Sequence, residues 1–137
     1  MEKMYRRAIL VDDDDIVNHL NKIVINRYLR PLTLEMICFE KPEAGLAFIK
    51  DSQPKNCLPT VLFLDLNMPV MNGWYFLEKM SEQPQACISH ITVYVLSSSI
   101  DIQDMRRAKA NPLVEGFLSK PLSDHLPTIF GYMKNGA

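Results

Sequence analysis

The sequence predicts an α/β fold in which a five-stranded parallel sheet lies between layers of helices. Three observations predict it. Short apolar runs, most of four to seven residues and rich in β-branched or aromatic side chains, recur without alternating with polar residues, as expected of strands buried on both faces. Segments with apolar residues at i, i+3, i+4 spacing separate them. The two kinds of segment alternate five times, which builds β-α-β units with right-handed crossovers.

The first strand is Ala8-Ile9-Leu10-Val11, and the helix after it carries Ile16, Leu20, Ile23, Val24 and Arg27-Tyr28 as its expected buried stripe. Leu34 to Phe39 forms the second strand in spite of Glu35. A helix over Pro42 to Ile49 has its proline near the first turn and ends in polar Lys50-Asp51-Ser52. The third strand is Val61-Leu62-Phe63-Leu64, followed by a helix marked by Trp74, Leu77 and Met80. Ile91 to Leu96 is the fourth strand, and Ile100 to Ala110 is a fourth helix with only a thin apolar stripe, Met105 and Ala108. Gly116-Phe117-Leu118 makes a short fifth strand, and Leu122, Leu126, Ile129, Phe130 and Met133 mark the last helix. A proline is tolerated only in a first turn, so Pro127 starts that helix near Leu126 or bends it there. Met1 to Arg7 and Asn135-Gly136-Ala137 are expected tails, which leaves one domain with a core over about residues 7–133. The commonest arrangement at this length is the flavodoxin-like three-layer (βα)5 sandwich, with strand order 2-1-3-4-5.

Composition supports one ordinary globular domain and excludes several functions. The chain has 137 residues, 47% of them hydrophobic and 23% charged, with a formal net charge of −1. Near-neutrality removes the electrostatic footprint of a dedicated nucleic-acid binder. No apolar run reaches the roughly 18 residues of a membrane span or resembles a signal segment, so a cytoplasmic location is expected. Cys38, Cys57 and Cys87 are odd in number and 19 and 30 residues apart, which argues against a disulfide framework or a zinc knuckle. None of the five glycines builds G-x-G-x-x-G or G-x-x-x-x-G-K, so a nucleotide-binding loop is not expected.

In such sheets chemistry gathers beyond the carboxyl ends of the strands, beside the switch point between strands 1 and 3. Strand 1 ends in Asp12-Asp13-Asp14-Asp15, strand 3 in Asp65, strand 4 in Ser97-Ser98-Ser99 and strand 5 in Ser119-Lys120-Pro121. Asp12, Asp13 and Asp65 therefore converge, and three carboxylates so close repel one another unless a cation offsets them. Oxygen ligands at a partly hydrated site suit Mg²⁺. Lys120 adds a fixed positive charge and Ser97 a hydroxyl donor, so the pocket fits a small, highly charged oxyanion such as a phosphoryl group. Asp65 is then a carboxylate nucleophile able to form an aspartyl phosphate, with positioning and electrostatics supplying the catalysis. No histidine falls at a carboxyl strand end: His19 lies inside helix 1, His90 before strand 4 and His125 near the last helix. Taken singly, each signal has a plainer reading. An aspartate run caps a helix, with Asp15 near the helix start, serines cap helices, and a lysine is usually solvated. Their coincidence at four strand ends carries the weight.

These residues resemble the receiver (phosphoacceptor) domain of two-component response regulators, in the chemotaxis-regulator-like superfamily. The pieces that carry the resemblance are Ile9-Leu10-Val11-Asp12-Asp13, Leu64-Asp65-Leu66-Asn67-Met68-Pro69-Val70-Met71-Asn72-Gly73, Val95-Leu96-Ser97-Ser98-Ser99 and Phe117-Leu118-Ser119-Lys120-Pro121. The second is close to the family's D-x-x-M-P-x-M-[DN]-G pattern. Steps of 53, 32 and 23 residues from Asp12 to Asp65, Ser97 and Lys120 suit two, one and one β-α units.

The resemblance implies that Asp65 is phosphorylated and that Asp12, Asp13, Asp65 and the Asn67 backbone carbonyl hold Mg²⁺. It makes Ser97 the switch hydroxyl, Lys120 the phosphoryl contact and Lys120-Pro121 a frequently cis bond. Phe117 takes the switch-aromatic position, where the family often has Tyr, and Asn67 and Ser99 tune the lifetime of the phosphorylated form. A sensor histidine kinase or histidine phosphotransfer protein is the implied donor in phosphorelay signal transduction. The implied target site is the face made by the fourth helix, fifth strand and last helix, and neither DNA nor membrane is bound by the chain itself. Receivers promote their own phosphorylation and dephosphorylation without being turnover enzymes. Two readings of other classes stay beside this one. One is a small phosphohydrolase or phosphotransferase acting through Asp65, although Asp65-Leu66-Asn67 departs from the D-x-D of haloacid-dehalogenase-like enzymes. The other is a receiver-fold interaction module that takes no phosphate.

Overall fold

The computed structural model describes residues 4–51 and 57–135. Five strands, β1 (Arg7–Val11), β2 (Glu35–Phe39), β3 (Thr60–Asp65), β4 (Ile91–Ser97) and β5 (Val114–Ser119), form one parallel sheet in the order β2-β1-β3-β4-β5. The helices are α1 (Asp15–Leu29), α2 (Pro42–Lys50), α3 (Gly73–Ser81), α4 (Gln85–Ile88), α5 (Ile102–Ala110) and α6 (Leu126–Asn135). A 3-10 turn, Leu122–His125, leads into α6. The fold is the expected flavodoxin-like sandwich. Ser52, Met1, Gly136 and Ala137, which the sequence reading placed in a helix end and in tails, lie outside the described residues.

Successive residues of a strand face opposite sides, and here both sides are covered. Ala8 and Leu10 of β1 and Val61 and Phe63 of β3 join Ile25, Leu29, Ile129 and Phe130 in a core under α1 and α6. Ile9, Val11, Leu62 and Leu64 join Ile49, Phe76, Leu77, Met80 and Ala108 in a second core under α2, α3 and α5. The central strands β1, β3 and β4 thus read as nearly unbroken apolar runs because each serves two cores, whereas the edge strands β2 and β5 carry exposed Glu35 and Glu115.

Local chemistry fixes the helix starts. Asp14 caps α1 through the Ile16 N–H, Asn72 caps α3 through the Tyr75 N–H, and Asp101 caps α5 through the N–H groups of Gln103 and Asp104. Pro42 opens α2, and Pro127 sits in the first turn of α6, which begins at Leu126. Among the described residues no helix is long and apolar enough to cross a membrane.

Four expectations need correction. Only part of the stripe assigned to α1 faces the core: Val24 and Tyr28 are half-buried and pack against it, whereas Ile16, Leu20, Ile23 and Arg27 are exposed, and Asn18, Ile25 and Leu29 are buried instead. The expected N-terminal tail is partly core: the Tyr5 ring packs edge-on against Phe130, and the Arg6 and Arg7 N–H groups donate to the Pro59 carbonyl. The fourth predicted helix becomes α5, since the short α4 precedes it unforeseen. It starts after Ile100, which is exposed, and buries only Ala108, leaving Met105 exposed. Asn135, assigned to the C-terminal tail, ends α6.

Candidate phosphoacceptor site

The site forms where β1, β3, β4 and β5 end. Each strand is pinned by its apolar run, and the first polar residue beyond or at its end projects over the edge of the sheet. One carboxylate oxygen from each of Asp12, Asp13 and Asp65 lies within 4.8 Å of the others. Asp12 and Asp65 are buried and Asp13 is exposed, so the cluster has two walls and one open side. Lys120 reaches in from β5, with Nζ 3.0 Å from Asp12 Oδ2 and 3.4 Å from Asp65 Oδ1.

Main-chain hydrogen bonds fix the cluster. Asp12 Oδ1 accepts from the Asp14 N–H at 2.9 Å, and Asp65 Oδ1 accepts from the Asn67 N–H at 3.4 Å. The Lys120 N–H donates to the Ser97 carbonyl at 2.9 Å, which ties the end of β5 to that of β4. Ser97 is wholly buried, and its Oγ accepts from the Ser99 N–H at 3.2 Å. That leaves the hydroxyl proton available to donate. Gly73 closes the floor: a Cβ there would stand 2.9 Å from the Asp65 carbonyl oxygen and 2.8 Å from Leu66 Cδ2. Its N–H donates to the Leu66 carbonyl at 2.9 Å, which only so close an approach allows.

Burial pushes the Asp65 carboxyl from its ordinary 3.8 up to about 6, and the neighbouring Asp12 charge adds to the rise. Lys120 and the Asn67 N–H oppose it without cancelling it. Burial pulls the Lys120 ammonium down, but the hydrogen bond it donates to Asp12 and the charges of Asp65 and Asp12 hold it above the ordinary lysine value. Three carboxylates facing one ammonium leave an excess of negative charge. An all-oxygen donor set of this kind matches a hard divalent cation.

Asp12, Asp13, Asp65 and Lys120 therefore gather in one cluster, and Ser97 lies buried at the end of the neighbouring strand β4, its carbonyl accepting from the Lys120 N–H. Asn67 follows Asp65 on the exposed loop, and Ser99 is exposed beside Ser97. Phe117 is half-buried on β5, in register with Val95, and packs toward the α2/α3/α5 core. The Lys120-Pro121 bond is cis, as is Arg30-Pro31. His125 turns its Nε2 to the Ser119 carbonyl at 2.7 Å, and His19 and His90 lie outside the cluster. Asn18, buried beneath the Asp12 turn, belongs to no motif of the sequence; its place beside the site shows only once α1 is packed over the ends of β1 and β2.

The chain is similar to solved structures of the same architecture. A response regulator receiver protein from Dyadobacter fermentans is 28% identical over 90% of this chain and 97% of that one, with a TM-score of 0.77. A two-component response regulator from Cytophaga hutchinsonii is 27% identical over 97% and 99%, with a TM-score of 0.79. The Mn²⁺-bound form of response regulator Rcp1 shares the fold at 22% identity, covering 96% of each chain with a TM-score of 0.72. Comparison with curated protein sequences returns no match. The family model described as the response regulator receiver domain matches residues 8–127, and the chain belongs to that family.

Proposed function

We propose that the protein is a phosphorylation-dependent switch in cytoplasmic phosphorelay signalling, taking its phosphoryl group on Asp65 from a phosphohistidine of a sensor kinase or phosphotransfer protein. The observation that carries this is the Lys120 ammonium set between Asp12 and Asp65, with Asp13 completing a three-carboxylate cluster. Receiver domains bind Mg²⁺ at such an acidic pocket, and Asp12, Asp13, Asp65 and the Asn67 carbonyl are the groups that would hold it here. When bound, the cation offsets negative charge on the carboxylates and on the phosphoryl oxygens.

The chemistry of the chain's own residues follows from their placement. Asp65 is largely ionised at neutral pH because its pKa of about 6 lies below 7, so an oxygen lone pair is available to attack phosphorus. The bond from that oxygen to phosphorus forms as the donor's nitrogen–phosphorus bond breaks, and the freed imidazole keeps the electron pair. Lys120 meets the oxygens of the group as charge redistributes, and the Ser97 hydroxyl donates to another. The new dianion draws Ser97 toward it. Phe117 on the neighbouring strand and α5, held by the single buried Ala108, are the parts with freedom to respond. The α5-β5-α6 face then presents the altered surface to a target protein. Asn67 and Ser99, flanking the acceptor and the switch hydroxyl, govern how water reaches the phosphoryl group.

Incubation with acetyl phosphate and Mg²⁺, followed by intact mass measurement, tests the reading. One phosphoryl group is expected, absent with EDTA and absent in Asp65→Asn. Folded protein that gains no adduct and binds no Mg²⁺ would replace this reading with that of an interaction module. Chemical shifts at Phe117 and α5 that stay fixed on adding beryllofluoride would overturn the switch.

A further inference from the structure

Asn18 is 1% exposed on a helix whose neighbouring apolar residues Ile16 and Leu20 face outward. Its Nδ2 donates to the Asp12 carbonyl at 3.0 Å and to the Phe39 carbonyl at 3.2 Å, so one amide group joins the ends of β1 and β2. The Asp12 N–H also donates to the Phe39 carbonyl, at 3.1 Å. The other end of the amide gains nothing from burial, since Asn18 Oδ1 has no hydrogen-bond partner. An orphaned buried oxygen is costly, and a leucine would fill the same volume without one. Packing therefore does not account for asparagine here, whereas its two donated bonds do.

The carbonyl that Asn18 holds belongs to the peptide unit joining Asp12 to Asp13. A peptide is planar, so fixing its oxygen fixes the direction in which the chain leaves toward Asp13. Asp12 is then restrained at its amide by Phe39, at its carbonyl by Asn18, and at its two carboxylate oxygens by the Asp14 N–H and Lys120. Asp13, exposed at the open side of the pocket, has its main chain set by the same clamp. We infer that Asn18 is a positioning residue for cation binding: it aims the Asp12 and Asp13 carboxylates from beneath, touching neither the cation nor the phosphoryl group. The inference rests on the proposed function for its cation, and on the clamp alone for its residue.

MgCl₂ titration followed by backbone amide shifts of Asp13 and Asn67 tests it, in the wild type, Asn18→Leu and Ile25→Ala. Ile25 is fully buried about two turns further along the same helix, in the core under α1 and α6. Loss of an outer partner of a metal ligand typically weakens affinity 10–100-fold. Asn18→Leu is expected to bind Mg²⁺ about tenfold more weakly or worse, while Ile25→Ala lowers thermal stability and keeps wild-type affinity. Phosphorylation of Asn18→Leu by acetyl phosphate recovers at saturating Mg²⁺, which separates weakened binding from damaged chemistry. Wild-type affinity in Asn18→Leu, or equal loss in both variants, would overturn the assignment. Should Asn18→Leu not fold, the wild-type Asn18 side-chain amide resonances decide. They exchange slowly with water and move with the Asp13 midpoint during the titration, and resonances that ignore Mg²⁺ would refute the clamp. A wild type that binds no Mg²⁺ removes both this inference and the phosphoacceptor reading, whereas tight binding by Asn18→Leu removes the inference only.

Discussion

Replacing Asp65 by Asn should make the metal-free protein more stable, although it destroys the acceptor. In the fold, burial first and the Asp12 charge second hold the Asp65 carboxyl near 6, against an ordinary 3.8. The folded state therefore binds the proton more tightly than the unfolded chain does, and ionising Asp65 costs stability. That cost is absent below about pH 3.8, grows as pH rises toward 6, and is complete above it. At roughly 1.4 kcal/mol per pKa unit, the difference amounts to about 3 kcal/mol at neutral pH. Asparagine keeps the shape but gives up the charged contact to Lys120 at 3.4 Å, so the expected gain is about 1–3 kcal/mol. Urea unfolding with EDTA, at about pH 7.5 and again at about pH 4.5, reads the difference directly. Asp65→Asn is expected to show the higher midpoint with an unchanged slope near pH 7.5, and the gap should shrink below ~1 kcal/mol near pH 4.5. Saturating Mg²⁺ should narrow the gap by stabilising the wild type through binding. A gap that is absent, reversed or flat with pH in EDTA would refute the electrostatic account of the pocket.

Lys120→Gln removes the ammonium that bridges Asp12 and Asp65. Mg²⁺ binding measured by calorimetry is expected to tighten several-fold, while the rate of phosphorylation by acetyl phosphate falls on the order of 10²-fold. Gly73→Ala forces a methyl to within 2.9 Å of the Asp65 carbonyl oxygen; denaturant unfolding should show a loss of about 1–3 kcal/mol. Asn72→Ala strips the cap from the Tyr75 N–H, which should cost about 1 kcal/mol of stability by the same measurement.

The central strands β1, β3 and β4 were the most legible, because each is a short apolar run buried on both faces. Leu62 and Phe63 are adjacent, apolar and buried on opposite faces, and only a doubly covered strand has use for both. The gathering of Asp12, Asp13, Asp65 and Lys120 followed from topology, since residues at the ends of adjacent parallel strands meet whatever the helices do. Helix α1 was harder. Its apolar residues are spread around the cylinder, so periodicity offered Ile16, Leu20 and Ile23 as readily as Ile25 and Leu29. Asn18 shares the buried face with Ile25 and Leu29, and the pair of carbonyls it donates to lie at the ends of two strands distant in sequence. Four residues of α4 are too few to show a period. Tyr5 was assigned to a tail because its partner, Phe130, lies at the other end of the chain.

Gly73 has no ionisable group and touches no ligand, yet any side chain at that position would press on the main chain of the acceptor aspartate and of Leu66. In a saturation-mutagenesis screen for signalling output, position 73 would thus stand out as sharply as position 65, with all other amino acids depleted. A screen for abundance alone would depress position 73 and spare position 65, where asparagine keeps the fold. Comparing the two screens tells a residue that reacts from one that merely leaves room.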